Sequence, residues 1–223
     1  MKYSASKENY IKAIFHLQQE QENVTTNALA EALHTKPASV TDMLKKLTTE
    51  KLLQYERYRG VKLTAEGKKL AVQIIRKHRL WEYFLVEKLQ FGWEEVHEIA
   101  EELEHISSKK LVDRLDAFLD FPKADPHGDP IPDSNGRMPA LKQSAVSDMP
   151  VNSSGTVNGI GDQSAAMLEL LRHKNIQLGT RLEIKRKFGV DGSIEIKIRN
   201  QQPVNISEHV AKNLLVAHDN KNR

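Results

Sequence analysis

The chain contains no cysteine. That excludes disulfides and every thiolate metal site, so a bound metal must take imidazole, carboxylate, amide or carbonyl ligands. No apolar run of about eighteen residues occurs, so no membrane-spanning helix is expected. The N-terminal stretch MKYSASKENYIKAIF lacks the apolar core and small-residue cleavage region of a secretory leader, and the expected location is the cytoplasm. HExxH and HxxEH are both missing, as are a Gly-rich phosphate loop and any evident Ser/His/Asp set. No internal repeat is found. The chain is therefore not expected to be an enzyme.

What is present is unevenly distributed. Net charge is only +3, yet residues 1–79 carry 15 Lys and Arg against 8 Asp and Glu, a net of +7, and the remainder nets −4. A basic N-terminal third on a near-neutral chain suits a polyanionic partner. Prolines are also segregated, with five of the eight lying between Pro122 and Pro139. That stretch is read as a linker or an ordered crossing segment.

Apolar spacing predicts a first helix over residues 6–19, with Tyr10, Ile11, Ile14, Phe15 and Leu17 as its stripe. A short second helix carries Leu29, Ala30 and Leu33, with Thr26 or Asn27 as its cap. After a turn at His34–Lys36, Pro37 suits the first turn of a third helix, whose buried face is Val40, Leu44 and Leu47. Two short strands, 52–56 and 61–64, flank Arg57, Tyr58, Arg59 and Gly60 as a hairpin with a basic tip. This order is that of a winged helix-turn-helix. Lys36, Pro37, Ser39 and Thr41 stand at the start of the third helix, where small and basic residues allow close approach to base edges and phosphates. Arg57, Tyr58 and Arg59 would reach the DNA backbone or minor groove.

A long helix follows over residues 65–89, with Thr64 as N-cap and Leu70, Ile74, His78, Glu82, Leu85 and Leu89 on one face. Beyond the break at Gly92, helices are expected over 93–106 and 108–121, the second with Leu111, Leu115, Phe118 and Leu119 turned inward. Residues 94–105 read EEVHEIAEELEH. At about 100° per residue, His97, Glu101, Glu104 and His105 fall within an arc of roughly 100°. His78 and Glu82 share a face of the preceding helix. Six possible ligands thus lie on two neighbouring helices, and clustered carboxylates on an inward face resist burial unless a cation neutralises them. Imidazole and carboxylate together suit Mn²⁺, Fe²⁺, Co²⁺ or Zn²⁺. Farther on, 180–187 and 193–199 alternate apolar and charged residues like half-buried strands, after a short helix near 163–174.

These residues resemble a known family. Arg76-Lys77-His78-Arg79-Leu80 with Glu82, Val96-His97 and Glu101-x-x-Glu104-His105 are similar to the diphtheria-toxin-repressor family of metalloregulators. Pro37-x-Ser39-Val40-Thr41 and Tyr55-Glu56-x-Tyr58-Arg59-Gly60 resemble its manganese branch. Phe121-Pro122 with Pro126-His127-Gly128-x-Pro130-Ile131-Pro132 is similar to the segment leaving the dimerisation domain of longer members. The resemblance implies a mainly α fold with a small β part in three domains. These are a winged helix-turn-helix over 1–64, a helical metal-binding and dimerisation domain over 65–139, and an SH3-like (FeoA-like) small β-barrel over 140–223. It implies a homodimeric repressor of manganese or iron uptake genes that binds a palindromic DNA operator when activated by Mn²⁺ or Fe²⁺.

Two metal sites per subunit are implied. The primary site would use Glu101, Glu104 and His105 with a residue near the start of helix one. The ancillary site would use His78, Glu82 and His97, with Asp162 and Gln163 as candidates from the C-terminal domain. In the manganese branch His78 serves instead beside the primary ligands. Iron-responsive members carry Cys where Glu101 stands, and manganese-responsive members carry Glu. The chain departs from the manganese branch twice: Asn9, with Glu8 beside it, replaces an Asp ligand, and Lys12 replaces a carboxylate. Two rival readings are a winged-helix regulator sensing an organic ligand, which predicts no thermal shift with Mn²⁺, and a metal-dependent hydrolase with a helical accessory domain, which predicts turnover.

Overall fold

The computed structural model describes residues 3–21, 23–56, 60–199 and 201–218. The chain forms two compact units. One comprises residues 1–81, 100–121 and 132–138, and the other comprises 82–99, 122–131 and 139–223.

In the first unit, helix α1 (Ala5–Glu20) starts at Ser4, whose hydroxyl accepts the Lys7 N–H. Helix α2 (Thr26–Ala32) is capped by Thr25, one residue earlier than the sequence suggests, because its Oγ1 accepts the Ala28 N–H at 3.1 Å. His34, with positive φ, makes the turn into α3 (Pro37–Thr49), where Pro37 occupies the first turn. Strands β1 (Leu53–Glu56) and β2 (Gly60–Leu63) pair antiparallel, with Leu53 opposite Leu63 and Glu56 opposite Gly60. The base of this hairpin is tied to the loop before α2, since the Val61 N–H donates to the Val24 carbonyl at 3.2 Å. Gly60 is required there. Its φ is +71°, and a Cβ would stand 2.1 Å from the Val24 oxygen.

One core joins these elements. Ile11 and Ile14 of α1, Leu29 of α2, Val40 and Leu47 of α3, Leu52 and Leu63 at the hairpin, and Ile74 of α4 (Ala65–Leu89) are all buried in it. Burial of one face of α3 leaves Lys36, Pro37, Ser39 and Thr41 exposed on the other. The Thr64 hydroxyl caps α4 by accepting the Gly67 N–H at 3.1 Å, as its position before the helix suggests. Helix α5 spans Val96–Leu103, and α6 (Lys109–Phe118) is capped by Ser108. Leu111 and Phe118, expected inward on α6, are instead 42% and 65% exposed, while Val112, Leu115 and Leu119 are buried. With Phe121 also exposed, α6 and the residues after it present apolar side chains outward.

In the second unit six strands form one antiparallel sheet in the order β3-β8-β4-β5-β6-β7. They are β3 (Ser144–Ala145), β4 (Ser154–Ile160), β5 (Arg181–Lys187), β6 (Ile194–Ile198), β7 (Val204–Ile206) and β8 (Leu214–His218). The period-2 alternation works as expected, burying Leu182 and Ile184 of β5 and Ile194, Ile196 and Ile198 of β6. Helices α7 (Ala165–His173) and α8 (Glu208–Asn213), capped by Ser164 and Ser207, add Met167, Leu168, Leu171 and Val210 to the same core. The proline-rich stretch is ordered. The Ile131 N–H donates to the Lys123 carbonyl at 2.9 Å, and the Ile160 N–H of β4 donates to the His127 carbonyl at 3.0 Å. No helix among the described residues is long and apolar enough to cross a membrane.

Leu47 has no exposed surface and sits where α3 meets the shared core. Leu47→Ala is expected to lower unfolding stability by about 2–5 kcal/mol, read as a fall in the urea midpoint of the helical circular dichroism signal. A change within experimental error would mean that α3 is not held by this core.

Candidate metal centres

The first group of ionisable side chains lies where α1, the middle of α4 and the end of α5 meet within the first unit. Glu104 follows α5 directly and continues its hydrogen bonding, its N–H donating to the Ala100 carbonyl at 2.8 Å. Its side chain has no exposure to water. Glu104 Oε2 is 2.7 Å from His78 Nδ1 and accepts from Lys12 Nζ at 2.8 Å. Lys12 also donates to Glu101 Oε1. Glu8, buried on α1, stands 2.7 Å from His105 Nδ1 and 3.7 Å from Lys77 Nζ. Burial pushes the Glu104 carboxyl up, but the His78 hydrogen bond and the Lys12 charge outweigh it and hold the group below the ordinary carboxylate range. Burial pulls the Lys77 ammonium below the usual lysine range, against the opposing influence of Glu8 and Glu104.

Two buried oxygens in this neighbourhood lack a hydrogen-bond partner, Glu104 Oε1 and Asn9 Oδ1. Leaving a buried ionised oxygen unmatched is costly, and a cation is the natural match for it. Asn9 shares the face of α1 that carries Glu8 and Lys12, since the three positions span about 100° of the helix. The donor set is three carboxylates, two imidazoles and an amide oxygen, all hard or borderline. It fits a first-row divalent ion and contains nothing that selects a soft one.

The second group belongs wholly to the second unit. Glu82, Asp125 and His127 are all buried, and each offers a ligand atom within 4.8 Å of the others. Glu82 Oε1 is 3.3 Å from His97 Nδ1, and Glu82 Oε2 is 3.7 Å from His127 Nδ1. The loop holding these residues is built by Asp125, whose Oδ1 accepts the N–H groups of His127 at 2.9 Å and Asp129 at 3.0 Å. His127 Nε2 is 2.9 Å from the Trp93 carbonyl. An N–H there fixes the ring and turns Nδ1 towards Glu82, the orientation that metal-ligating histidines take from a backbone carbonyl. His127 Nδ1 is itself buried without a hydrogen-bond partner. Burial pushes the imidazolium down, but Glu82 and Asp125 outweigh it and hold the ring above the usual histidine range. Gly128, with φ +90°, lets this loop lie on β4. A Cβ would stand 2.2 Å from the Asn158 oxygen.

The six residues expected on two helices are divided between the two units. His78, Glu101, Glu104 and His105 join Glu8 and Lys12, while Glu82 and His97 join Asp125 and His127. Asp125 and His127 are absent from the sequence-based ligand set. Their signal was the Asp125-x-His127-Gly128 run inside the proline-rich stretch, which reads as a connecting segment because prolines dominate it. The other C-terminal candidates have partners elsewhere. Asp162 accepts from Ser164 N–H at 2.9 Å and lies 2.9 Å from His209 Nε2, while Gln163 donates to Asp129 Oδ2 at 3.1 Å. Ser164 and His209 hold the Asp162 carboxyl below its ordinary range. Lys36, Pro37, Ser39 and Thr41 lie on the exposed side of α3. Arg57, Tyr58 and Arg59 lie outside the described residues.

Known proteins share this sequence along most of its length. Residues 2–61 match the family model for the iron dependent repressor N-terminal DNA binding domain. Residues 64–133 match the iron dependent repressor metal binding and dimerisation domain, and residues 145–218 match the FeoA domain. The HTH-type transcriptional regulator MntR of Oceanobacillus iheyensis is 37% identical over 120 residues, spanning 54% of this chain and 81% of that one. The iron-dependent repressor IdeR of Mycobacterium leprae is 34% identical over 125 residues, which is 56% of this chain and about half (54%) of its own length. A solved manganese-dependent transcriptional repressor in complex with manganese superimposes with a TM-score of 0.86 at 33% identity, covering 95% of this chain and 99% of that one. ScaR with bound Cd²⁺ gives 0.80 at 31% identity, covering 96% and 99%.

A winged helix with a clear outer face, accompanied by carboxylate and imidazole clusters, defines a metal-dependent DNA-binding transcriptional repressor. The chain belongs to the iron-dependent repressor family, that of the diphtheria toxin repressor, in its three-part form with a C-terminal FeoA domain.

Metal stoichiometry after equilibrium dialysis tests the two groups separately. The intact chain is expected to hold two divalent ions. Glu104→Gln is expected to lose one, and His127→Ala the other. Gly128→Ala is expected to weaken only the ion lost with His127, because it displaces that loop from β4. Loss of both ions from either single variant would show that the groups are not independent sites.

Proposed function

We propose that the chain represses manganese-uptake genes in the cytoplasm, binding a palindromic operator as a homodimer when Mn²⁺ is plentiful, with Fe²⁺ as the alternative activator. The observation that carries this reading is the first group, which joins α1 of the DNA-reading region to Glu104 and His105 at the end of α5. We assign Glu101, Glu104, His105 and His78, with Glu8 and Asn9 from α1, to a primary site. Glu82, His97, Asp125 and His127 are assigned to an ancillary one. The domains run over residues 1–64, 65–139 and 140–223.

Manganese is favoured by the donor set. Glu101 supplies oxygen, and no cysteine is available to select a softer ion. The family includes a manganese-dependent repressor solved with manganese.

When bound, the divalent ion supplies two positive charges among carboxylates that otherwise repel. The protein's residues convert that neutralisation into geometry. Glu8 and Asn9 hold the start of α1 towards Glu104 and His105. Because α1 shares its core with α3, fixing α1 fixes the direction in which Ser39 and Thr41 are presented. His127 would hold the ion through Nδ1, with the Trp93 carbonyl keeping its ring in place. The outward Leu111, Phe118 and Phe121 supply the apolar face that a second copy covers. The dimer then presents two copies of α3 to successive major grooves. A preference of the ion for the DNA-competent arrangement of about 100-fold, or roughly 2.7 kcal/mol, is enough to switch occupancy. Regulation here works by binding rather than turnover.

A mobility-shift assay with the uptake-gene operator checks the switch. Strong retardation is expected in Mn²⁺ and little in chelator. Glu104→Ala is expected to abolish the difference, whereas Arg59→Ala should weaken binding to every sequence and flatten its salt dependence. Equal retardation in Mn²⁺ and chelator would sink the proposal.

A further inference from the structure

Lys12 places its ammonium directly among the oxygens of the primary group. Its side chain is 13% exposed. Its ammonium donates both to Glu101 Oε1 and to Glu104 Oε2, the latter at 2.8 Å. Glu104 Oε2 thus meets Lys12 and His78, while Oε1 of the same carboxylate has no hydrogen-bond partner. Lys12 therefore occupies one oxygen of each of two carboxylates assigned to the metal, beside the unmatched Oε1 of Glu104.

We infer that Lys12 is a resident counter-cation of the primary site, and that a divalent ion binds there only by displacing its ammonium from Glu101 and Glu104. This rests on the assignment of that group as a metal site. A single compact ammonium on a flexible stem suits the part. It neutralises by point charge without the rigid fork of a guanidinium, and it can swing its charge to water while its methylenes stay covered. Lys12 therefore sets the affinity of the site. The ion has to outcompete a charge-assisted contact already in place, and the site responds only at concentrations raised accordingly. The opposite assignment is a structural bridge that shapes the ligands for the metal. The two differ in sign, since removing a competitor tightens metal binding and removing a support weakens it.

The test is a calorimetric Mn²⁺ titration in the full chain carrying His127→Ala, so that the primary site alone reports, with and without Lys12→Met. Loss of the two charge-assisted hydrogen bonds of Lys12, one of them to the buried Glu104, is expected to tighten binding about ten- to a hundredfold. Thermal denaturation guards against a folding defect. Lys12→Met should lower Tm without metal, where Glu101 and Glu104 lose their counter-charge, and should gain more than the parent on adding Mn²⁺. Equal or weaker Mn²⁺ binding by Lys12→Met, with the parent still binding, overturns the role of Lys12 alone. No Mn²⁺ uptake by either chain overturns the primary-site assignment and this inference with it.

Discussion

The structure turns on one dehydrated carboxylate. Glu104 has no contact with water, yet its neighbours hold it ionised. A buried charge of this kind is tolerable only if positive groups surround it. Those groups come from different parts of the chain, Lys12 from α1 and His78 from α4. The electrostatic requirement of a single side chain therefore pins the helix that shares its core with the DNA-reading helix. Glu104 thus ties α1 and α4 to the end of α5, alongside the contact of Glu8 with His105 and the core that α1 and α4 share.

The N-terminal fold was legible because its elements carry strong local signals. Pro37 at the first turn of α3 and Thr64 before α4 mark boundaries by backbone chemistry that tertiary packing does not override. The strand alternation in β5 and β6 is equally plain. The outward turn of Leu111 and Phe118 was not legible from one chain. Spacing says that these residues want cover, and it does not say whether the cover is the same molecule or another copy.

The ligand sets show the same division. Helical periodicity placed His97, Glu101, Glu104 and His105 on one face of a helix and His78 and Glu82 on one face of the helix before it, because regular spacing carries angular information. It could not place Asp125 and His127. They sit in an irregular segment, where residue spacing carries no angular information. Their placement depends on the Asp125 turn and on the fit of Gly128 against β4. Glu8 likewise depends on the tertiary approach of α1 to His105, which no local pattern encodes.

Both candidate centres are built entirely from oxygen and imidazole nitrogen. In the second, the loop position that helps surround Glu82 and His127 is the carboxylate of Asp125 rather than a thiol. Thiolates climb an oxidation ladder through sulfenic and sulfinic acids, and each rung destroys a ligand. Neither group has a place on that ladder. Peroxide can change the valence of an ion in the surroundings, but it has no sulfur here to strip from the protein. Oxidation of a thiolate therefore removes no ligand from either group.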